Sequence, residues 1–150
     1  MEGLVWGSLY DFGTHKHPPL FGWVIYFFYN LLGKTDYSVY LICQLFIITG
    51  FIYVYKLARF FFDKQKAVCS AMILEGCFTY SYITIFDGFN PNVFIIALFP
   101  IIAYYFYLIL KNNKLSDWIL LGLFTGLCFL SKYQTILIVM SMFLLLRFSL

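Results

Sequence analysis

The sequence predicts an all-α fold, a polytopic membrane helix bundle with about four to five spans plus one interfacial helix. Three observations carry this. The chain of 150 residues is 63% hydrophobic and 23% aromatic, with a mean hydropathy of +0.85, which is more apolar surface than a core of this size can hide. Its charged residues, 11% of the total, fall in short clusters between long apolar runs. Near the start, Asp11-Phe12-Gly13-Thr14-His15-Lys16-His17 gathers ionisable groups just ahead of Pro18-Pro19 and an apolar helix, which places polar chemistry at a membrane surface.

Composition also excludes function classes. The net charge of +3 is small, and its basic residues are scattered between apolar runs rather than stacked on one face, so nucleic acid is not expected as a partner. P-loop, G-x-S-x-G, H-E-x-x-H and Rossmann fingerprints do not occur. Cys43, Cys69, Cys77 and Cys128 lie in apolar segments without C-x-x-C spacing and read as buried small hydrophobes, not disulfides or metal ligands. Residues 1–17 have neither the apolar core nor the cleavage site of a signal peptide and read as a loop.

The elements follow in order. Residues 18–33 begin with the Pro pair, which suits the first turn of a helix because its N–H groups have no intrahelical partner. The segment is short for a perpendicular span, and Trp23, Tyr26 and Tyr29 recur at helical spacing, so it reads as an interfacial helix, with a short or tilted span as the other option. Residues 37–150 hold the transmembrane helices. The first covers Tyr37–Tyr55 and is expected to run on to Phe62, with Lys56 and Arg59 reaching to the headgroups. Ala67–Phe86 reads as a second span, whose small residues permit close packing. Asp87–Asn92 is a turn by composition, and Asn92–Leu110 a third span with Pro100 as its expected kink. Trp118–Leu130 and Gln134–Arg147 are two further apolar helices separated by Ser131-Lys132-Tyr133.

Lys and Arg set the orientation. One set of loops holds Lys56, Arg59, Lys64, Lys66, Lys111, Lys114 and Arg147, and the other holds the His-rich start, the Asp87–Asn92 turn and Lys132. The richer set is expected to be cytoplasmic, which makes residues 1–17 an extracytoplasmic loop.

Several groups could carry chemistry there. His15, Lys16 and His17 put cationic donors beside two prolines and could bind a lipid phosphate; a solvated loop with ordinary headgroup contacts is the other reading. An H-x-H pair without a third ligand nearby is a weak metal signal. Asp11 could act as a base, a metal ligand or a turn former in Asp-Phe-Gly, and Glu2 is the other acid on this face. Glu75 sits within an expected span, where carboxylates are costly and face a bundle interior or wet cavity; its role is either a structural hydrogen bond or a contact to substrate. Lys132 either reaches the outer interface or lines a pocket for an anionic group, and Asp87, Asn90 and Asn92 could line the same pocket. A lipid-phosphate-dependent transferase, a transporter or a small scaffold subunit all fit these residues.

The order of landmarks is more specific. Trp6-Gly7, Gly13 and Lys16-His17-Pro18-Pro19-Leu20-Phe21-Gly22-Trp23 resemble the W…G…KHPPL..W signature of bacterial members of the dolichyl-phosphate-mannose protein mannosyltransferase superfamily, which include the RgtA/B/C-like and ArnT-like glycosyltransferases of GT-C fold. Residues 31–39 look like the family's LFG.SE.A.R, and residues 118–133 look like its W.LLGL..GLA.L.KY. The resemblance implies an inverting glycosyltransferase of the bacterial inner membrane. Such an enzyme takes a sugar from a polyprenyl-phosphate donor at the periplasmic face and passes it to a glycan, lipid A or protein acceptor. The family's chemistry uses an aspartate in the first outer loop as base or to help position the acceptor, cationic residues at the phosphate, and often a divalent metal.

By position, the resemblance places His17, with Lys16 as its neighbour, on the donor phosphate, and matches Lys132 to the lysine of KY. Glu2 looks like the second acid of the family's outer-loop element, while the aspartate expected ahead of it has no counterpart in the chain. Asn90-Pro91-Asn92 stands where many relatives have PD, which puts an acidic role there in doubt. Full members are several times larger, so the chain is expected to be the N-terminal part of such an enzyme and not catalytic by itself.

Overall fold

The computed structural model describes residues 2–9, 12–13, 17–82 and 90–149. All regular structure among them is helical: α1 (Glu2–Ser8), α2 (Leu20–Leu31), α3 (Asp36–Ala58), α4 (Lys64–Ile73), a 3-10 turn (Leu74–Gly76), α5 (Phe78–Tyr82), α6 (Pro91–Asn112), α7 (Leu115–Ser131) and α8 (Thr135–Ser149).

The centre of the bundle is the α3–α6 pair. Phe46 meets Phe94, Gly50 meets Ile96, Tyr53 meets Tyr104, and Phe60 meets Tyr107, so the two helices run parallel. A Cβ on Gly50 would stand 2.7 Å from the Ile96 carbonyl oxygen, and that missing side chain lets the backbones close up. Ile42, Cys43 and Ile47 of α3 pack with Val93, Phe94 and Ile102 of α6 in the core. α7 returns antiparallel along α6, with Tyr105 stacked on Phe124 and Ser131 Oγ donating to the Pro91 carbonyl at 3.4 Å. α8 folds back on α7, where the Thr135 hydroxyl donates to the Lys132 carbonyl at 2.8 Å and closes the turn.

Two helices, α3 with 23 residues and α6 with 22, are long and apolar enough to cross a membrane. At 1.5 Å per residue each reaches about 33–35 Å, against a hydrocarbon core of about 30 Å. Their surroundings separate this from a soluble core. Leu45, Ile48 and Ile52 on the outer face of α3 are about half exposed, as are Ile136, Leu144 and Leu145 on α8. In water that much apolar surface would be unfavourable, and in lipid it is the matched face.

The sequence expectations hold for α3, α6, α7 and α8 within a few residues at the ends, with α3 stopping at Ala58 rather than running to Phe62. Three differ. Residues 1–17 are not all loop, because Glu2–Ser8 is helical. Its glycines lower helix propensity but serve packing: a Cβ on Gly3 would collide with the Phe21 ring, and one on Gly7 with the Gly22 carbonyl. Ala67–Phe86 is not one helix. α4 ends at Ile73, the chain tightens into a 3-10 turn, and Cys77 is extended before α5 begins. Glu75 and Gly76 stand at this break, where a weak helix former coincides with a carboxylate that gains from leaving lipid. Finally, Cys43 and Cys128 are buried as expected, but Cys69 and Cys77 are exposed: α4 turns only Ala67 and Ala71 inward, and Cys77 lies at the extended break after the 3-10 turn.

α2 spans Leu20–Leu31 after the Pro pair, with Phe21, Gly22 and Ile25 buried and Phe27, Asn30 and Leu31 outward. It ends where Gly33 takes a left-handed φ of 95°, letting the Lys34 N–H reach back to the Tyr29 carbonyl at 2.8 Å.

Candidate functional site

The α1–α2 hairpin holds one half of the site. Gly7 against Gly22 brings the two helices to backbone contact, and His17 sits just before α2 with its ring 6.1 Å from that of Trp6. Pro18 is buried and His17 half-buried, so the imidazole is held against the hairpin rather than extended into solvent. Gly13, with φ 130°, packs beside the His17–Pro19 backbone, and Phe12 meets Trp23 edge-on at 5.7 Å. Asp11, His15 and Lys16 lie outside the described residues, as does Asp87; Glu2 opens α1, and its side chain is outside them too.

The α6–α7 ends hold the other half. Asn90 is the N-cap of α6, its side chain accepting from the Asn92 N–H at 2.8 Å, and Pro91 fills the first turn. Lys132, which ends α7, donates from Nζ to Asn92 Oδ1. The structure thus brings Lys132 and Asn92 together. Desolvation pushes the Lys132 ammonium below the usual lysine range. Its partner is a neutral amide, so its charge is oriented but not cancelled, which suits it to a phosphate oxygen. α2 packs on α7, the helix that Lys132 ends.

Glu75 is not part of this arrangement. It is exposed and lines a groove between α3 and α4 with Phe51, Ile52, Tyr55, Val68, Ala71 and Met72, a lining that contains neither His17 nor Lys132. Among the described residues, no three His, Cys, Asp or Glu side chains converge to hold a metal ion.

Sequence reasoning missed the Trp6 partner of His17, the Ser131 tie to Pro91 and the buried Asp117 at the start of α7. Trp6 is recoverable in principle, since Gly3 and Gly7 at four-residue spacing signal a helix–helix face. The Ser131 tie depends on α6 and α7 lying side by side, which no local pattern announces.

An all-α bundle with two helices long and apolar enough to span a membrane is the class of protein that the fold defines. The chain belongs to the dolichyl-phosphate-mannose-protein mannosyltransferase family, whose model matches residues 16–149. The match takes in Lys16, His17 and Lys132 and leaves out Glu2, Asp11 and His15. No curated protein and no solved structure gives a significant match. Membership brings a GT-C architecture and a lipid-phosphate sugar donor at the level of the family.

Proposed function

We propose that this chain forms the donor-phosphate half of a membrane glycosyltransferase that moves a sugar from a polyprenyl-phosphate carrier to an extracytoplasmic acceptor. The observation that carries the reading is Lys132, half-buried and held by the uncharged Asn92. In the reaction an acceptor hydroxyl attacks the anomeric carbon and gives up its proton to a carboxylate base, the bond from that carbon to the phosphate oxygen breaks, and the electron pair leaves with the phosphate. Lys132 and His17, with Lys16 beside it, stabilise the charge that develops there. Glu2, at the start of α1, is the acid for the base or acceptor-positioning role, with Asp11 and His15 on the same outer face. α2 lies in the interface, and α3, the α4–α5 segment, α6, α7 and α8 cross the bilayer. The Lys/Arg distribution supports a site on the periplasmic side of a bacterial inner membrane. Glycan, lipid A and protein acceptors remain alternatives, and Glu75 has no part in the transfer.

Binding tests this reading directly. Undecaprenyl phosphate titrated into the purified chain should bind about tenfold more weakly to each of His17→Ala and Lys132→Met. If both variants bind like the parent, the donor site is elsewhere and a non-catalytic membrane role is the better account.

A further inference from the structure

At the opposite end of the bundle, where α3 and α6 finish, the fold builds a second cationic feature. Lys56 Nζ stands 4.6 Å above the Tyr53 ring, and Lys111 Nζ stands 5.4 Å above the Phe60 ring. The rings between them are continuous: Tyr53 meets Tyr104 at 5.5 Å, and Tyr104 stacks on Phe60 at 5.6 Å. Two ammonium groups from different helices therefore share one aromatic ledge. Neither has a carboxylate partner among the described residues: Asp63 pairs with Lys66 at 3.9 Å, and Asp117 is buried. Arg59 adds a third positive charge beside them, its Nη1 donating to the Phe62 carbonyl at 3.0 Å.

A separate observation lies alongside. Tyr107 meets both Phe60 and Phe61, at 4.7 and 5.0 Å, and together with Leu57, Phe61, Phe106, Leu110 and Met142 it lines an apolar groove of about 440 Å³. Leu110 in the groove directly precedes Lys111 on the ledge. An anionic head with an apolar tail fits this pairing of charges and groove, and neither part alone specifies it.

We propose that this end of the bundle binds one anionic phospholipid, its phosphate on Lys56 and Lys111 and one acyl chain in the Leu57–Met142 groove. Cation–π contact holds each ammonium at the ring face, so less side-chain freedom is lost when the phosphate arrives. The Lys/Arg distribution puts the site in the cytoplasmic leaflet, where anionic lipids attract such residues. It is separate from Lys132, which sits at the other end of α6 and α7.

The test is native mass spectrometry of the whole chain released from micelles containing equal dioleoyl phosphatidylglycerol and dioleoyl phosphatidylcholine. The expected result is preferential retention of one phosphatidylglycerol, lowered about tenfold in the Lys56→Gln/Lys111→Gln double variant. Lys56→Arg/Lys111→Arg should keep it. Leu110→Trp, which fills the groove, should lower it with both lysines in place. Lys34→Gln, at the far end of α3, should leave it unchanged. All four substituted positions are exposed, and circular dichroism checks that each variant is folded. Equal retention of the two lipids overturns the proposal, as does an equal loss in Lys34→Gln. If excess inorganic phosphate displaces the lipid and Leu110→Trp has no effect, the ledge binds free anions and the lipid assignment is wrong.

Discussion

Lys132 and Asn92, 40 residues apart in sequence, are joined by a hydrogen bond from the lysine ammonium to the amide oxygen. The bond ties the end of α7 to the first turn of α6 and leaves the lysine charge unneutralised. A double-mutant cycle with Lys132→Met and Asn92→Ala, read by unfolding in mixed micelles, should give a coupling of roughly 1 kcal/mol. Asn92→Asp separates stability from binding. The new carboxylate should strengthen the tie while cancelling the charge, so undecaprenyl phosphate affinity should fall as stability holds or rises.

The same lysine predicts a pH dependence. Burial lowers its folded pKa beneath the unfolded value, so between the two values the unfolded chain holds a proton that the folded chain has released. Stability should therefore rise with pH through the window just below the ordinary lysine value of 10.5 and level off above it. The contribution of Lys132 is the difference between the parent and Lys132→Met profiles, which removes the shared titration of tyrosines and cysteines. A difference that falls with pH there would contradict the burial.

Glycines give a graded stability series. Gly50→Ala puts a methyl 2.7 Å from the Ile96 carbonyl oxygen, a backbone atom that cannot swing aside, and should cost about 1–3 kcal/mol. Gly7→Ala meets the Gly22 carbonyl and should cost a similar amount, loosening the hairpin that carries His17. Gly122→Ala and Gly126→Ala face open space. These should stabilise by up to about 0.5–1 kcal/mol through helix propensity.

Asn90→Ala removes the side-chain acceptor for the Asn92 N–H and should cost about 1 kcal/mol. Because that cap also orients the turn bearing Asn92, Lys132-dependent anion binding should weaken in parallel. Asn90→Ser, which can cap, should restore most of both.

How far the sequence could be read depended on the range of the interaction. α3, α6, α7 and α8 were legible because long apolar runs bounded by charges and prolines are local signals. The nearness of Lys132 and Asn92 was legible because both residues border turns. The break at Leu74–Gly76 was not, since hydropathy averages across one glycine and one glutamate in an apolar window. α1 was hidden for a related reason: its helicity rests on Gly3 and Gly7 docking against Phe21 and Gly22, a tertiary effect that local propensity opposes. The exposed Cys69 and Cys77 show the same limit, because apolar surroundings in sequence do not say whether a residue faces protein or lipid.

The parallel course of α3 and α6 has a bookkeeping consequence for any labelling study. Two helices that run the same way oblige the intervening chain to come back, so the connections obey a parity rule. In the proposed through-membrane arrangement, the Thr35, Asn90 and Lys132 turns share one compartment, and the Asp63 and Asn113 turns share the other. A single accessible tag at any one of the five therefore reports the sidedness of all of them, and two tags that disagree with the rule would disprove the through-membrane arrangement without any knowledge of the chain's chemistry.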